Sequence, residues 1–469
     1  MNQTYPVCII GAGLAGAECA FQLARHGIKT ALVEMRPQKK SPAHSTSGMA
    51  ELVCSNSLRS SDVTNAVGLL KQEMAALNSL IIRAAHKAKV PAGTALAVDR
   101  TLFSDLVTNT LSTNPCVTVI SGVVTGITQG AQGLEVSLAS GQVIRCERCV
   151  IATGPLTDEG LAGWICENTG HEYLYFYDAI APVVEKESID FNKAFYASRY
   201  ERGENENGDY INCPMTQAEY EAFVSEIKKA ELAEVKDFDR ALFFDGCLPI
   251  EEMIARGDHT LLFGPMKPVG ISSGERLRGD RNMGQVCSPD RPHAVVQLRQ
   301  DNLHDTLYNM VGFQTRMKWP EQKRIFRMIP GLEQASFARL GAMHRNTYIC
   351  SPAVLKEGLE LKNVAGIFFA GQITGCEGYV ESAAAGLMVG LFLSRLIKQG
   401  GLLPAPPATT ALGALINHIL CADKNSYQPM NINYGLFKEI ELKAKKFDRK
   451  VHLLKRAVND FWEWYYREF

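Results

Sequence analysis

The first forty residues show the clearest ordering of apolar and polar segments in the chain. Val7–Ile10 is a short apolar run, and a glycine-rich segment, 11–16, follows it directly. A helical pattern then extends to Arg25, and a second apolar run, 30–33, ends at Glu34. This order predicts a strand, a tight turn, a helix and a second strand, the opening unit of a doubly wound α/β domain.

The residue types in this turn indicate a dinucleotide site. A glycine at position 11 permits the tight turn, one at 13 lets a diphosphate approach the backbone, and one at 16 lets helix and strand pack closely. The free amides and the dipole at the start of the helix favour phosphate groups, and the acid that ends the second strand can accept a hydrogen bond from a ribose hydroxyl. The alternative is a turn that only permits close packing. The predicted cofactor-binding residues here are Gly11, Ala12, Gly13, Leu14, Ala15, Gly16 and Glu34.

Beyond Glu34 the pattern predicts a long loop that covers a ligand, a helix and several strands. Residues 36–62 are polar and rich in serine, which is typical of a loop over a ligand. Apolar residues at spacings of three to four between Leu70 and Ala84 predict a helix. Ser140-Gly141, between two alternating segments, predicts a β-hairpin.

Two later apolar runs also end in glycine turns. Residues 149–151 lead into Thr153 and Gly154, and residues 364–370 lead into Gly371 and Gln372. A doubly wound sheet returns to its ligand at such turns, so we expect these four residues to contact the same cofactor. The small residues after position 381 then predict a second helix that begins near the ligand.

Changes in residue composition along the chain predict that it is divided into three segments. Residues 1–170 form the first part of the nucleotide-binding domain, and residues 171–314, with clustered aromatic residues, form an inserted α/β domain. Residues 315–469 return to the first domain and end in a helical segment that is basic from Lys443 to Arg456 and then aromatic.

Composition narrows the classes of function. The chain has 469 residues, 46% of them hydrophobic, and a net charge of −1, so any nucleic acid must be held by a local basic patch. Thirteen cysteines in no disulfide-like framework are typical of a reducing compartment. We find no signal peptide and no apolar run that predicts a membrane span, and we therefore expect a cytoplasmic protein without a membrane partner.

Cysteine settings separate core residues from candidate nucleophiles. Cys146 and Cys149 form a lone CxxC within strand-like sequence, which does not support a metal site, and we predict none. Cys54, Cys213 and Cys247 lie in polar segments with turn residues, such as Pro214 beside Cys213, where a thiol can act as a thiolate. This context does not separate the three.

Basic residues occur in three clusters, which are solvated faces unless they share one side of the molecule. The clusters are Arg276, Arg278 and Arg281; Arg316, Lys318, Lys323, Arg324 and Arg327; and Lys443–Arg456.

Several longer segments have a distinctive sequence. They are 51–59 (ELVCSNSLR), 212–216 (NCPMT), 246–251 (GCLPIE), 294–302 (AVVQLRQDN), 311–315 (VGFQT), 343–347 (MHRNT) and 370–382 (AGQITGCEGYVES). Together they resemble one family, the folate- and FAD-dependent tRNA (uracil-5-)-methyltransferases known as TrmFO. Two departures stand out: Cys376 occupies an expected aliphatic position, and the aromatic C-terminus is not part of the pattern.

The resemblance implies a glutathione-reductase-like, Rossmann-like FAD domain and methylation of the T-loop uridine of tRNA at C5. It implies methylenetetrahydrofolate as carbon donor and NADH or NADPH as reductant, and it names no stable protein partner. Cys247 is then the expected nucleophile and Cys54 the acid/base or flavin-side partner, although these roles can be reversed, and Cys213 is a weaker alternative. Further expectations place Met343–Tyr348 at the folate or flavin face, with Tyr348 as the stacking candidate, and Lys323 and Arg324 at the RNA.

Three competing functions stay open from the residues. One is the same chemistry on a ribosomal RNA uridine. Another is a small-molecule flavin oxidoreductase, which the nucleotide fold alone supports. The third is a flavin-bearing RNA-binding module without catalysis.

Overall fold

The computed structural model describes residues 4–131, 133–170, 174–201, 203, 205, 208–233, 248–271, 292–439 and 446–469. Its strands are β1 (Thr4–Ile10), β2 (Thr30–Glu34), β3 (Ser57–Ser60), β4 (Lys89–Val90), β5 (Ala95–Val98), β6 (Val117–Ser121), β7 (Val124–Gly130), β8 (Gly133–Leu138), β9 (Val143–Ile151), β10 (Leu174–Ala179), β11 (Val183–Glu185), β12 (Phe195–Ala197), β13 (Tyr210–Met215), β14 (Ala294–Gln300), β15 (Leu307–Met310), β16 (Phe337–Arg339), β17 (Met343–Tyr348), β18 (Leu355–Lys356), β19 (Glu360–Leu361) and β20 (Ile367–Phe369). Its helices are α1 (Leu14–Arg25), α2 (Ala66–Ala76), α3 (Leu80–Lys87), α4 (Arg100–Ser112), α5 (Glu159–Thr169), α6 (Gln217–Lys229), α7 (Ile250–Ala255), α8 (Thr260–Phe263), α9 (Trp319–Phe326), α10 (Ser351–Val354), α11 (Tyr379–Gln399), α12 (Ala411–Cys421) and α13 (Lys446–Glu468).

The first sheet is built on five parallel strands in the order β20-β9-β1-β2-β6. Antiparallel strands extend it: β18 and β19 continue from β20, and the β8–β9 hairpin joins β7 to the sheet. Ile10 pairs with Val33 on one side and with Ile151 on the other, so three chain segments end at one edge. This arrangement confirms the predicted α/β fold class and places its glycine turns together.

Helices α1 and α11 pack against each other in the core of this unit. A Cβ on Gly386 would lie 2.1 Å from the carbonyl oxygen of Ala15, so only glycine permits this approach. The expectation that no run predicts a membrane span needs correction, because the 21 residues of α11 are long and apolar enough by length and composition. Since 83% of its most apolar window is buried inside the protein, α11 is the central core helix.

The region from Leu70 to Ala84, predicted as a helix, consists of two helices, α2 and α3. Asn78 between them has a φ of +59°, a conformation that ends a helix. The Ser79 side chain then accepts a hydrogen bond from the backbone N–H of Ile82 and begins α3. The apolar spacing continues across this break, and its members Leu70, Met74, Ile81 and Ala84 are all buried.

The second sheet is antiparallel, with the strand order β12-β13-β14-β15-β11-β16, and has a separate core. A two-stranded ribbon, β10–β17, connects its ends with the first unit. Because β16 pairs with β11, and α9 contributes Ile325 and Phe326 to the same core, the predicted boundary at residue 314 falls inside this unit rather than at its edge.

The C-terminal segment forms the predicted helix, α13. Phe461 and Trp464 are buried against the core of the first unit, and the indole N–H of Trp464 donates to the carbonyl oxygen of Pro404 at 2.9 Å. The inner aromatic side chains of this helix therefore attach it to the first unit.

Candidate active site

A first cavity lies at the carboxyl ends of β1, β9 and β20, where ligands bind in open α/β sheets. It has about 1060 Å³ of space, including its open mouth. The predicted residues that line it are Gly11, Gly13, Leu14, Ala15, Glu34, Thr153, Gly154, Gly371 and Gln372.

The glycines of the first turn differ in what surrounds them. Gly11 has a φ of +100°, and a Cβ there would lie 2.6 Å from the carbonyl oxygen of Ala152. A Cβ on Gly16 would lie 1.8 Å from the carbonyl oxygen of Gly11. A Cβ on Gly13 would meet no protein atom within 4 Å, so this position faces open space at the start of α1. Gly11 and Gly16 therefore serve the fold, whereas Gly13 leaves room for a ligand.

Glu34 is fixed before any ligand binds. One carboxylate oxygen accepts from the N–H of Ala12 at 2.8 Å, and the other accepts from the guanidinium of Arg36 at 2.8 Å. Burial opposes ionisation, but these hydrogen bonds outweigh it and hold the pKa of Glu34 below its usual range. Arg36 also contacts Glu51 at 3.2 Å. The sequence reasoning did not assign a role to Arg36, which lies in no motif, or to Glu51, which opens the matching segment 51–59.

A second cavity adjoins the first and lies between the first sheet and the second. It has about 1250 Å³ of space, again including its mouth. The residues that line both cavities are Val53, Pro155, Leu156, Gln372 and Tyr379. The two spaces therefore share a wall.

Cys54 lines this second cavity. The residue is partly exposed, and its Sγ lies 3.7 Å from the carbonyl oxygen of Ala179, at the end of β10. Of the three candidate nucleophiles, Cys247 lies outside the described residues. Among the candidate thiols in the described residues, Cys54 lines this cavity and Cys213 does not.

Cys213 requires a correction, because it lies in strand β13 rather than in a loop. Its partner across the sheet is Val296, and its side chain is fully buried in the second core. Pro214 is tolerated because β12 pairs only with residues 210–212, so the missing N–H costs no ladder bond on that side. Burial raises the pKa of the Cys213 thiol to about 12, which disfavours a thiolate.

The structure also shows the surroundings of Tyr348, expected at a ligand, and of Lys323 and Arg324, expected at the RNA. Tyr348 is buried in a cluster with Phe176 and Tyr427 and lines neither cavity, so its predicted stacking on a ligand finds no support. Arg324 lies on the exposed face of α9 in ion pairs with Glu226 and Glu321, and Lys323 is exposed beside it.

The second cavity also contains two acidic groups that sequence reasoning missed and one imidazole group from the segment Met343–Tyr348, which we expect at the folate or flavin face. Asp178 and His344 are direct partners across the β10–β17 ribbon, and Glu377 lies in the glycine-rich loop before α11. Burial, and then the neighbouring Asp178, raise the pKa of Glu377 well above its usual value. Burial lowers the pKa of His344. These groups can hold or accept protons in the cavity that Cys54 lines, and only the fold brings them together.

The comparisons with known proteins agree with this geometry. A sequence family described as "Glucose inhibited division protein A" matches residues 6–400. A protein from Geotalea daltonii named "Methylenetetrahydrofolate--tRNA-(uracil-5-)-methyltransferase TrmFO" is 51% identical over 456 residues, 97% of each chain. A protein of the same name from Listeria monocytogenes is 51% identical over 454 residues, also 97% of each chain.

The solved structures support the fold. Aquifex aeolicus GidA in one crystal form matches with a TM-score of 0.68 at 16% identity, over 98% of this chain and 74% of that one. A second crystal form of that protein gives 0.69. Within the described residues, no group of three His, Cys, Asp or Glu side chains is arranged to hold a metal ion.

Proposed function

The chain belongs to the TrmFO family of methylenetetrahydrofolate–tRNA-(uracil-5-)-methyltransferases, and from this premise we propose that it methylates C5 of the T-loop uridine of tRNA. Methylenetetrahydrofolate supplies the carbon, FAD is the bound cofactor, and NADH or NADPH is the reductant. We place the enzyme in the cytoplasm, where tRNA and folate meet. The observation that supports this proposal most is that Cys54 lines a cavity sharing a wall with the glycine-turn cavity.

The first cavity fits FAD by the chemistry of its donors and by its open space. The turn at residues 11–16 would hold the diphosphate, since Gly13 leaves room there and the start of α1 presents free amides. Glu34 would accept from a ribose hydroxyl, and residues 153–154 and 371–372 would contact the remainder. Bound there, FAD supplies the reducing equivalents that turn the transferred carbon into a methyl group.

A thiol is needed because uracil is weakly reactive at C5. C5 of uracil is a poor nucleophile, and a thiolate that adds to C6 makes C5 enolate-like. We assign this addition to Cys247 and the flavin-side or acid/base role to Cys54. After C5 attacks the donor carbon, a base must take the C5 proton before the thiolate leaves. The uridine must leave its stack to reach this cavity, so we expect base flipping.

The test uses the purified full chain, its flavin spectrum and an unmodified tRNA transcript. Folate-dependent methylation at the T-loop uridine is expected, and an equal amount of a ribosomal RNA transcript should stay unmethylated. Methylation of the ribosomal transcript alone would show that the substrate is a ribosomal RNA uridine and not the T-loop uridine of tRNA. Oxidation of NADH or NADPH with no RNA methylated would favour a small-molecule oxidoreductase, and tRNA binding with no turnover would favour a binding module.

The cysteine assignment is tested with a pair of variants. Cys247→Ala should retain bound flavin and lose methyl transfer, because it lacks the nucleophile. Cys213→Ala is the matched control and should stay active, since this thiol lies in the second core. Turnover by Cys247→Ala at the wild-type rate, with loss of turnover in Cys213→Ala, would remove the nucleophile assignment from Cys247 and give it to Cys213.

A further inference from the structure

The segment that carries Cys54 has no regular secondary structure of its own. Residues 52–56 belong to neither a helix nor a strand, so their backbone groups need partners from elsewhere. Three arginines supply donors. Arg100 donates to the carbonyl oxygen of Leu52 at 3.1 Å, Arg299 donates to the Ser55 hydroxyl at 2.9 Å, and Arg339 donates to the carbonyl oxygens of Val53 and Cys54, both at 3.1 Å.

Tyr379 supplies the acceptor for the backbone N–H groups of this segment. Its phenolic oxygen accepts the backbone N–H of Cys54 at 2.7 Å and that of Ser55 at 3.1 Å. Tyr379 is the first residue of α11 and lines both cavities. One hydroxyl group therefore holds two consecutive amides of the segment at the wall that the cavities share.

The phenol acts as a neutral acceptor. Burial raises the pKa of Tyr379 above its usual value, so the phenol is protonated at neutral pH. Its effect on Cys54 is therefore one of geometry, because an uncharged hydroxyl adds no charge to the thiol's surroundings. Phenylalanine would keep the ring and remove only the oxygen.

Arg339 holds the same peptide units from the second unit. It lies in β16, where it pairs with Val183 of β11, and its two terminal nitrogens bind two successive carbonyl oxygens of the segment. Tyr379 and Arg339 thus approach Cys54 from different units, one at the N–H side and one at the C=O side. Few backbone positions satisfy both, so the Sγ has a narrow range of positions.

We propose that Tyr379, opposed by Arg339, is a positioning residue that holds the Cys54 thiol in the second cavity, beside the wall that this cavity shares with the first. The catalytic use of Cys54 rests on the proposed function, whereas the placement of the thiol rests on the hydrogen bonds alone. Preorganised placement of a reacting group lowers the barrier, and a shift of about 1 Å can cost about a hundredfold in rate.

The test compares Tyr379→Phe with Tyr434→Phe. Tyr434 is a matched control, because its buried hydroxyl has no hydrogen-bond partner within the described residues and its ring packs 5.0 Å from that of Phe437. We expect Tyr379→Phe to keep FAD content and KM for tRNA within about twofold and to lose about tenfold or more in kcat. Alkylation of Cys54 by iodoacetamide, followed by peptide mass spectrometry, should change at least about threefold in rate, whereas Tyr434→Phe should match the wild type in every measurement.

Wild-type kcat and wild-type alkylation in Tyr379→Phe would overturn the proposal. If that variant fails to fold or to keep FAD, Arg339→Met tests the same claim from the other unit, and an unchanged alkylation rate there would overturn it. The alkylation assay needs no RNA or folate. A wild-type protein that methylates no tRNA would therefore defeat the proposed function while the placement of the thiol is still measured.

Discussion

Gly13→Ala separates the needs of the fold from the needs of the cofactor. Gly13 has φ −70° and ψ −169°, which alanine adopts without strain, and its Cβ would meet no protein atom within 4 Å. Alanine at Gly11 or Gly16 would instead collide with backbone oxygens at 2.6 Å and 1.8 Å. We therefore expect Gly13→Ala to fold and the other two variants to be destabilised.

The magnitudes follow from two opposing local effects and one ligand effect. Alanine is a poorer residue than glycine before the first turn of a helix, at a cost of up to about 1 kcal/mol. Reduced freedom of the unfolded chain returns about 0.4–1 kcal/mol, so apoprotein stability should change by less than about 1 kcal/mol. In the cofactor complex the methyl group occupies the space of the diphosphate, and loss of one charge-assisted hydrogen bond costs about 1.5–3 kcal/mol. FAD should therefore bind at least about tenfold more weakly.

The assay is FAD titration of apoprotein, with thermal unfolding of the apo and loaded forms. The gain in stability from a ligand falls as its dissociation constant rises, so the two measurements check each other. Gly163→Ala is the matched control, because its Cβ also meets no atom within 4 Å and it lies in α5, outside the cavity lining. If Gly13→Ala binds FAD as tightly as Gly163→Ala does, the diphosphate does not lie at this turn.

Three further predictions use the second cavity and the exposed face of α9. The raised pKa of Glu377 means that the folded state keeps a proton that the unfolded state loses above about pH 4.5, so this group's stabilisation declines as pH rises; Glu377→Gln should raise the melting temperature more at pH 8 than at pH 5, and an equal change at both would contradict this sign. Reversing Lys323 and Arg324 to Glu should weaken tRNA binding and reduce its salt dependence by about one to two ions, whereas unchanged binding isotherms at two salt concentrations would assign them to a solvated face. For Cys213→Ala, burial in the second core predicts a modest loss of thermal stability, measured by calorimetry, with the flavin spectrum unchanged; a loss of bound flavin would contradict that placement.

The parallel sheet and its glycine turns could be predicted from the sequence because each depends on a few neighbouring residues. An apolar run, a glycine with positive φ and a following helix are local signals, and the structure places Gly11, Gly154 and Gly371 at one edge as expected. The break between α2 and α3 was missed because it depends on the backbone angle of Asn78, which apolar spacing does not report.

Cys213 shows why sequence context failed to rank the thiols. A cysteine beside proline is typical of an exposed loop, yet here the ladder of β13 ends on one side just before Pro214, and the side chain turns into a core. That outcome depends on how long β12 is, which is a property of another segment. The same limit applies to Asp178 and Glu377, which are nearly two hundred residues apart in the chain. They line one cavity because the β10–β17 ribbon lies next to the loop before α11.

The position of Cys54 follows from the meeting of the two units rather than from either one. Its segment has no ladder of its own, and its amides and carbonyls are held by Tyr379 of the first unit and Arg339 of the second. A small rotation of the second sheet would therefore move the thiol, while the glycine turns of the first cavity would stay in place. Because the residues that line the first cavity belong to the first unit and thiol placement depends on both units, variants at the contact between the units should retain FAD and still lose methyl transfer.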